Sequence, residues 1–167
     1  MSELKSPLQI RAHNLLCLQG FEGLGYSKEF VAQMRRVARI LRMNPDMNIQ
    51  VITGVDILCE HCPHNYRGRC TADDPEDQPV PMDTPDQATL MDKRVLSWLD
   101  IGENDVQFWG QILYKIGRLV DSSAMDILCG DCRWRKYDFC ANALDELNRK
   151  VTNGELLFPA RENSGQD

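Results

Sequence analysis

Between Ser27 and Met43, the apolar residues Phe30, Met34, Val37 and Leu41 recur every three or four positions among charged neighbours, which is the spacing of one buried stripe on a helix. Ser27 stands where an N-cap belongs and Pro45 lies beyond the far end, so the pattern predicts a helix running to about Met43. The period then changes. Ile49 to Thr53 is β-branched at every position except Gln50, with Ile49, Val51 and Thr53 on one face, and this predicts a short strand ending at Gly54. Upstream, Ile10 to Phe21 predicts a shorter helix from the closely placed Leu15, Leu16 and Leu18, broken by Gly20, Gly23 and Gly25. Downstream, Thr84-Pro85 opens a helix to about Leu99 with Met91, Val95 and Trp98 on one face. Asp105 to Val120 carries Trp109, Ile112, Leu113, Ile116 and Val120 at helical spacing. A last helix from about Tyr137 to Val151 turns Ala143, Leu144, Leu147 and Val151 inward and stops at Asn153-Gly154. The expected fold is mostly α (α+β): a compact helical domain with a small strand element and two cysteine-rich metal-binding loops.

The polar stretches divide the chain. Residues 1–8 read as a flexible N-terminus, 9–159 as a single domain, and 160–167 as a polar tail. Within the domain, residues 71–87 hold Pro75, Pro79, Pro81 and Pro85 among six aspartates and glutamates, a solvated loop by composition. A length of 167 residues with 43% hydrophobic composition is enough for one real core. Nineteen basic against 25 acidic residues gives a net charge of −6, which disfavours nucleic acid and anionic lipid surfaces. The start has charge but neither an apolar run nor a small-residue cleavage site, so we expect a cytoplasmic protein that neither enters nor crosses a membrane.

Seven cysteines change the picture. In a reducing compartment an odd number points away from a disulfide framework and toward metal ligation. Six of the seven fall in an internal repeat: Asp56-Ile57-Leu58-Cys59-x2-Cys62-x7-Cys70 recurs as Asp126-Ile127-Leu128-Cys129-x2-Cys132-x7-Cys140. A C-x2-C turn directs two sulfurs to one point, and a third thiolate eight positions on closes the loop. Buried inert thiols would not require equal spacings. A thioredoxin-type redox pair would require a βαβ context that neither copy shows. His13 and Cys17, four apart on a predicted helix, share a face and extend the candidate ligand set. His61 falls between Cys59 and Cys62, where a side chain points outward, and is left out.

The all-thiol set, and Cys62-Pro63 with its likeness to the Cys-Pro ending of ferredoxin runs, favour an iron–sulfur cluster of 4Fe-4S type; zinc in a structural module without catalysis is the alternative. Cys59, Cys62, Cys70 and Cys17 would make a four-thiolate site, leaving Cys129, Cys132 and Cys140 as a three-thiolate site with an open iron. Alternatively the two C-x2-C knuckles face each other. Such a site would serve a redox partner or a small-molecule substrate. A third reading dispenses with metal and has His13 activate Cys17 as a nucleophile. Trp134, two residues after Cys132, is placed to shield the site from water, while Trp98 and Trp109 read as core. The glycines before Ser27 read as a turn that leads into the N-cap rather than as an anion site.

Arg11-Ala12-His13-Asn14-Leu15-Leu16-Cys17, Gly20-Phe21 and Gly23-Leu24-Gly25-Tyr26-Ser27 resemble the Arg-x-His-His-Leu-Leu-Cys and Gly-Lys-Gly-Tyr-Ser opening of the bacterial and archaeal family called domain of unknown function 1284. Asp56 to Pro63 and Cys129-x2-Cys132-x-Trp134 to Cys140 resemble its two later cysteine motifs, so the resemblance spans about residues 9–140. It implies a cysteine-rich protein suited to cluster binding, with no activity attached. Asn14 stands where the family has a second histidine and Leu24 where it has lysine, which weakens any scheme built on paired histidines or on an anion at the glycine turn.

Overall fold

A computed structural model describes residues 6–128 and 134–157. The expected polar tail, most of the expected flexible N-terminus, and Cys129 and Cys132 lie outside the described residues. Among the described residues the chain forms six α-helices and a small sheet, the mostly α architecture that the periodicity predicts.

The chain opens with strand β1 (Leu8–Arg11), which runs directly into helix α1 (Ala12–Cys17). This corrects the expected helix over Ile10 to Phe21. Leu8 to Arg11 is extended because it pairs in parallel with strand β2 (Asn48–Ile52), Leu8 against Ile49 and Arg11 against Ile52. Helix α2 (Lys28–Met43) is the helix expected, and the Ser27 hydroxyl accepts a hydrogen bond from the Phe30 N–H at 3.1 Å. Its buried stripe holds Met34, Val37 and Leu41. β2 is the expected strand, displaced by one residue at each end.

Strand β5 (Val106–Phe108) pairs antiparallel with β2 to give the order β1-β2-β5. The helix expected from Asp105 therefore starts later, as α4 (Trp109–Leu119), because pairing with the β2 edge draws its first residues into the sheet. Helix α3 (Gln87–Leu99) is capped by the Asp86 carboxylate rather than by Thr84, and its buried stripe is Ala88, Asp92, Val95, Leu96 and Leu99. Met91 and Trp98, expected on that stripe, are half-buried at its margin. Helices α5 (Ser123–Leu128) and α6 (Phe139–Thr152) complete the bundle. The core joins Ile10, Leu15 and Leu16 to Val37 and Leu41, to Ile49 and Val51, and to Ile112, Ile116 and Leu144.

Residues 71–85 run without helix or strand, as their composition predicts. Two of the acidic residues of the expected 71–87 loop are nonetheless structural. Asp74 pairs with the buried Arg69, and Asp86 is itself buried. No helix among the described residues is long and apolar enough to cross a membrane.

Candidate metal centre

The two copies of the repeat fold differently. In the first, Asp56 caps a short 3-10 turn (Ile57–Cys59), accepting from the Leu58 N–H at 2.9 Å and the Cys59 N–H at 3.3 Å. The Cys62 N–H then bonds the Cys59 carbonyl at 3.0 Å, closing the C-x2-C turn. A hairpin of β3 (Asn65–Tyr66) and β4 (Arg69–Cys70) brings Cys70 back beside it. In the second, Asp126 lies on α5 with its side chain 75% exposed and paired to Arg135, and Cys140 is the second residue of α6.

A cavity of about 810 Å³ opens between these segments. Cys17, Cys59, Cys62, Cys70 and Cys140 all line it, as does His13. Every expected ligand that is described thus reaches one space, and the face shared by His13 and Cys17 on α1 is the face turned to it. Gly20 is what lets α1 and α6 meet. A Cβ there would stand 2.4 Å from the Cys140 Cα and 2.6 Å from its Sγ, closer than atoms pack, so only glycine fits. Trp134 lines the cavity and packs edge-on against Tyr26, with ring centroids 4.9 Å apart; Tyr26 also meets His64 at 4.6 Å.

Among the described residues, no three His, Cys, Asp or Glu side chains lie close enough together to hold a metal ion. Cys59, Cys62 and Cys70 share a cavity wall rather than a closed coordination shell. Cys59 is the most deeply buried of them and donates its S–H to Asp56 Oδ1 at 3.2 Å. Burial, reinforced by the Asp56 charge, pushes its thiol up to about 12, so it is protonated at neutral pH until something displaces the proton. Burial also raises Cys70, helped by Asp86 and Cys62, with Arg11 pulling the other way.

Behind the thiols lies a buried polar network that the periodicity does not reveal. Arg11, 1% exposed, is its hub: Nε and Nη2 donate to Asp92 Oδ2 at 3.0 and 2.8 Å, and Nη1 points at Cys59 Sγ at 4.0 Å. The Arg11 backbone N–H donates to Asp56 Oδ2 at 2.8 Å, and the Asn14 amide donates to the same oxygen at 3.1 Å. Asn14 is therefore a support for the cysteine turn. Asp86 Oδ2 accepts from the Cys70 N–H at 3.0 Å, and its Oδ1 lies 3.9 Å from Arg11 Nη2. Asp92 accepts from His13 as well. Burial works against ionising Asp92, but His13 and Arg11 more than offset this and hold its carboxyl below the usual range. Each buried aspartate thus anchors one donor-bearing segment: Asp56 the Cys59 turn, Asp86 the Cys70 hairpin, Asp92 the His13 helix.

One signal for Asp92 was present in the sequence, since it sits four residues after Ala88 and three before Val95, on the apolar stripe of α3. A family model described as "Protein of unknown function (DUF1284)" matches residues 25–138. No curated protein and no solved structure matches the chain.

Proposed function

The chain belongs to this family of proteins of unknown function, DUF1284, and we propose that it is a cysteine-ligated metal protein which binds an iron–sulfur cluster in the thiol-lined cavity for redox or sulfur chemistry. The observation that carries this reading is that five cysteines, brought from four segments of the chain, line one cavity. Soft thiolates of this kind select zinc, cuprous ion or iron–sulfur centres over hard cations.

Size favours the cluster over zinc. A structural zinc site draws four ligands to about 2.0–2.3 Å around one ion and closes over it. The cavity here is about 810 Å³, many times the ~30 Å³ share of a single water. It suits a larger group together with a substrate or partner at its mouth. Cys59, Cys62, Cys70, Cys17 and Cys140 would hold the group, with Cys129 and Cys132 as further donors. When bound, the cluster would supply one-electron transfer or, at an iron lacking a protein ligand, a site for a small molecule. A cytoplasmic setting keeps such thiols reduced.

Anaerobic purification followed by iron, sulfide and zinc analysis tests the reading. The expected result is a brown protein with iron and acid-labile sulfide in comparable amounts. A colourless protein carrying stoichiometric zinc would replace the cluster with a structural staple.

A further inference from the structure

The inference deepens the iron–sulfur reading and rests on it. Asp92 has no exposed surface and lies on a helix face otherwise formed by Ala88, Val95, Leu96 and Leu99. Its oxygens receive five hydrogen bonds. Arg11 supplies two to Oδ2 at 3.0 and 2.8 Å, and the Gly54 N–H a third at 3.1 Å. Gly54 has φ +96°, a left-handed turn that glycine adopts without strain, and this aims its N–H at the carboxylate. The other two come from His13: the backbone N–H at 3.0 Å and the ring Nδ1–H at 2.7 Å, both to Oδ1.

A buried ion pair rarely stabilises a fold more than well-packed apolar residues would, so stability alone does not account for Arg11 and Asp92. What the pair accomplishes is to fix an imidazole. Asp92 Oδ1 lies 2.7 Å from Nδ1, which engages that nitrogen and leaves Nε2 as the ring atom for the cavity that His13 lines with the cysteines. Metal-bound histidines carry this mark: the ring nitrogen away from the metal donates to a carboxylate, which sets the tautomer and strengthens the ligand.

We propose that His13, through Nε2, is a ligand of the cluster beside the cysteine thiolates, and that Asp92, anchored by Arg11, is its positioning residue. The ligand set is then mixed thiolate and imidazole, and its reduction potential lies above that of an all-thiolate site.

The test uses the full chain, reconstituted anaerobically with ferrous iron and sulfide, reduced with dithionite, and prepared with and without 15N-labelled histidine. Pulsed EPR should show a histidine-nitrogen coupling of the strength of a directly bonded imidazole. His13→Gln should abolish it while iron and sulfide are retained, and His61→Gln and His64→Gln should leave it unchanged. Asp92→Asn should alter the coupling and raise the midpoint potential, because the imidazole becomes a weaker donor. A folded Asp92→Asn protein with both unchanged removes Asp92 from the proposal. If that variant fails to fold, the wild type and His13→Gln decide the matter between them. A cluster with no histidine-nitrogen coupling, or with coupling that survives His13→Gln, overturns the proposal and leaves the iron–sulfur reading standing. A wild-type chain that takes up no iron and sulfide overturns both.

Discussion

The turn around Cys59 and the stretch leading to Cys140 look onto one cavity, and their sequences share the same Asp-Ile-Leu-Cys lead-in, yet they are supported in different ways. Asp56 is buried and takes bonds from the Arg11 backbone, the Asn14 amide, the turn it caps and the Cys59 thiol. Asp126 is exposed on α5 and meets Arg135 at the surface. Leu58 is fully buried, and Leu128 nearly so; Ile57 is half-buried, whereas Ile127 is 61% exposed. A repeated motif therefore repeats the supply of sulfur donors without repeating the scaffold. The difference comes from outside the motif, since β1 and α1 reach the first copy with charged and amide groups, and nothing equivalent among the described residues reaches Asp126.

Breaking the support of the first copy should have the largest effect. Arg11→Met leaves Asp92 buried without its cation and should cost about 3–5 kcal/mol in chemical denaturation, whereas Arg135→Met, on the second copy, should cost under about 1 kcal/mol. Gly20→Ala, which wedges the two regions apart at Cys140, should cost about 1–3 kcal/mol in a thermal melt and, on the proposed iron–sulfur reading, lower iron retention along with it. Asp56→Ala should cost about 1–3 kcal/mol by removing a cap and leaving buried donors unpaired, against about 0.5 kcal/mol or less for Asp126→Ala; equal losses at the two positions would erase the contrast.

The smallest effect is one of pH. The Asp92 carboxyl is depressed in the folded protein from an ordinary value of 3.8, so its contribution is complete above that value and is lost as pH falls through the lower folded one. Acid unfolding followed below about pH 4 should be shallower in Asp92→Asn than in the wild type.

Much of this was legible in the order of residues. The α2 stripe and its Ser27 cap are local features and follow from short-range rules. The expected ligands that are described, Cys17, Cys59, Cys62, Cys70 and Cys140 with His13, announce themselves by spacing, and all of them line the cavity. Four strands escaped: β1 and β5 because their extended form is imposed from a distance, Leu8 to Arg11 by Ile49 to Ile52 and Val106 to Phe108 by Asn48 to Gln50, and β3 and β4 because two-residue arms are too short to show a period. Arg11, Asp86 and Asp92 escaped for a related reason. A charged residue in a single sequence reads as solvated, and its burial becomes evident only when a partner 81 residues away, as for Arg11 and Asp92, is brought beside it. Asp86 hid inside an acidic, proline-rich segment whose composition argued for solvent.

That separation also imposes an order on how the protein is made. Arg11, His13 and Cys17 leave the ribosome before Asp92, which follows 81 residues after Arg11, a delay of about 4–16 s at roughly 5–20 residues per second. During that interval Cys59, Cys62 and Cys70 are made but the carboxylate that holds Arg11 and His13 is not, and Cys140 comes later still. Closure of the cavity is thereby a late event, completed only when residues far apart in the sequence have all been made.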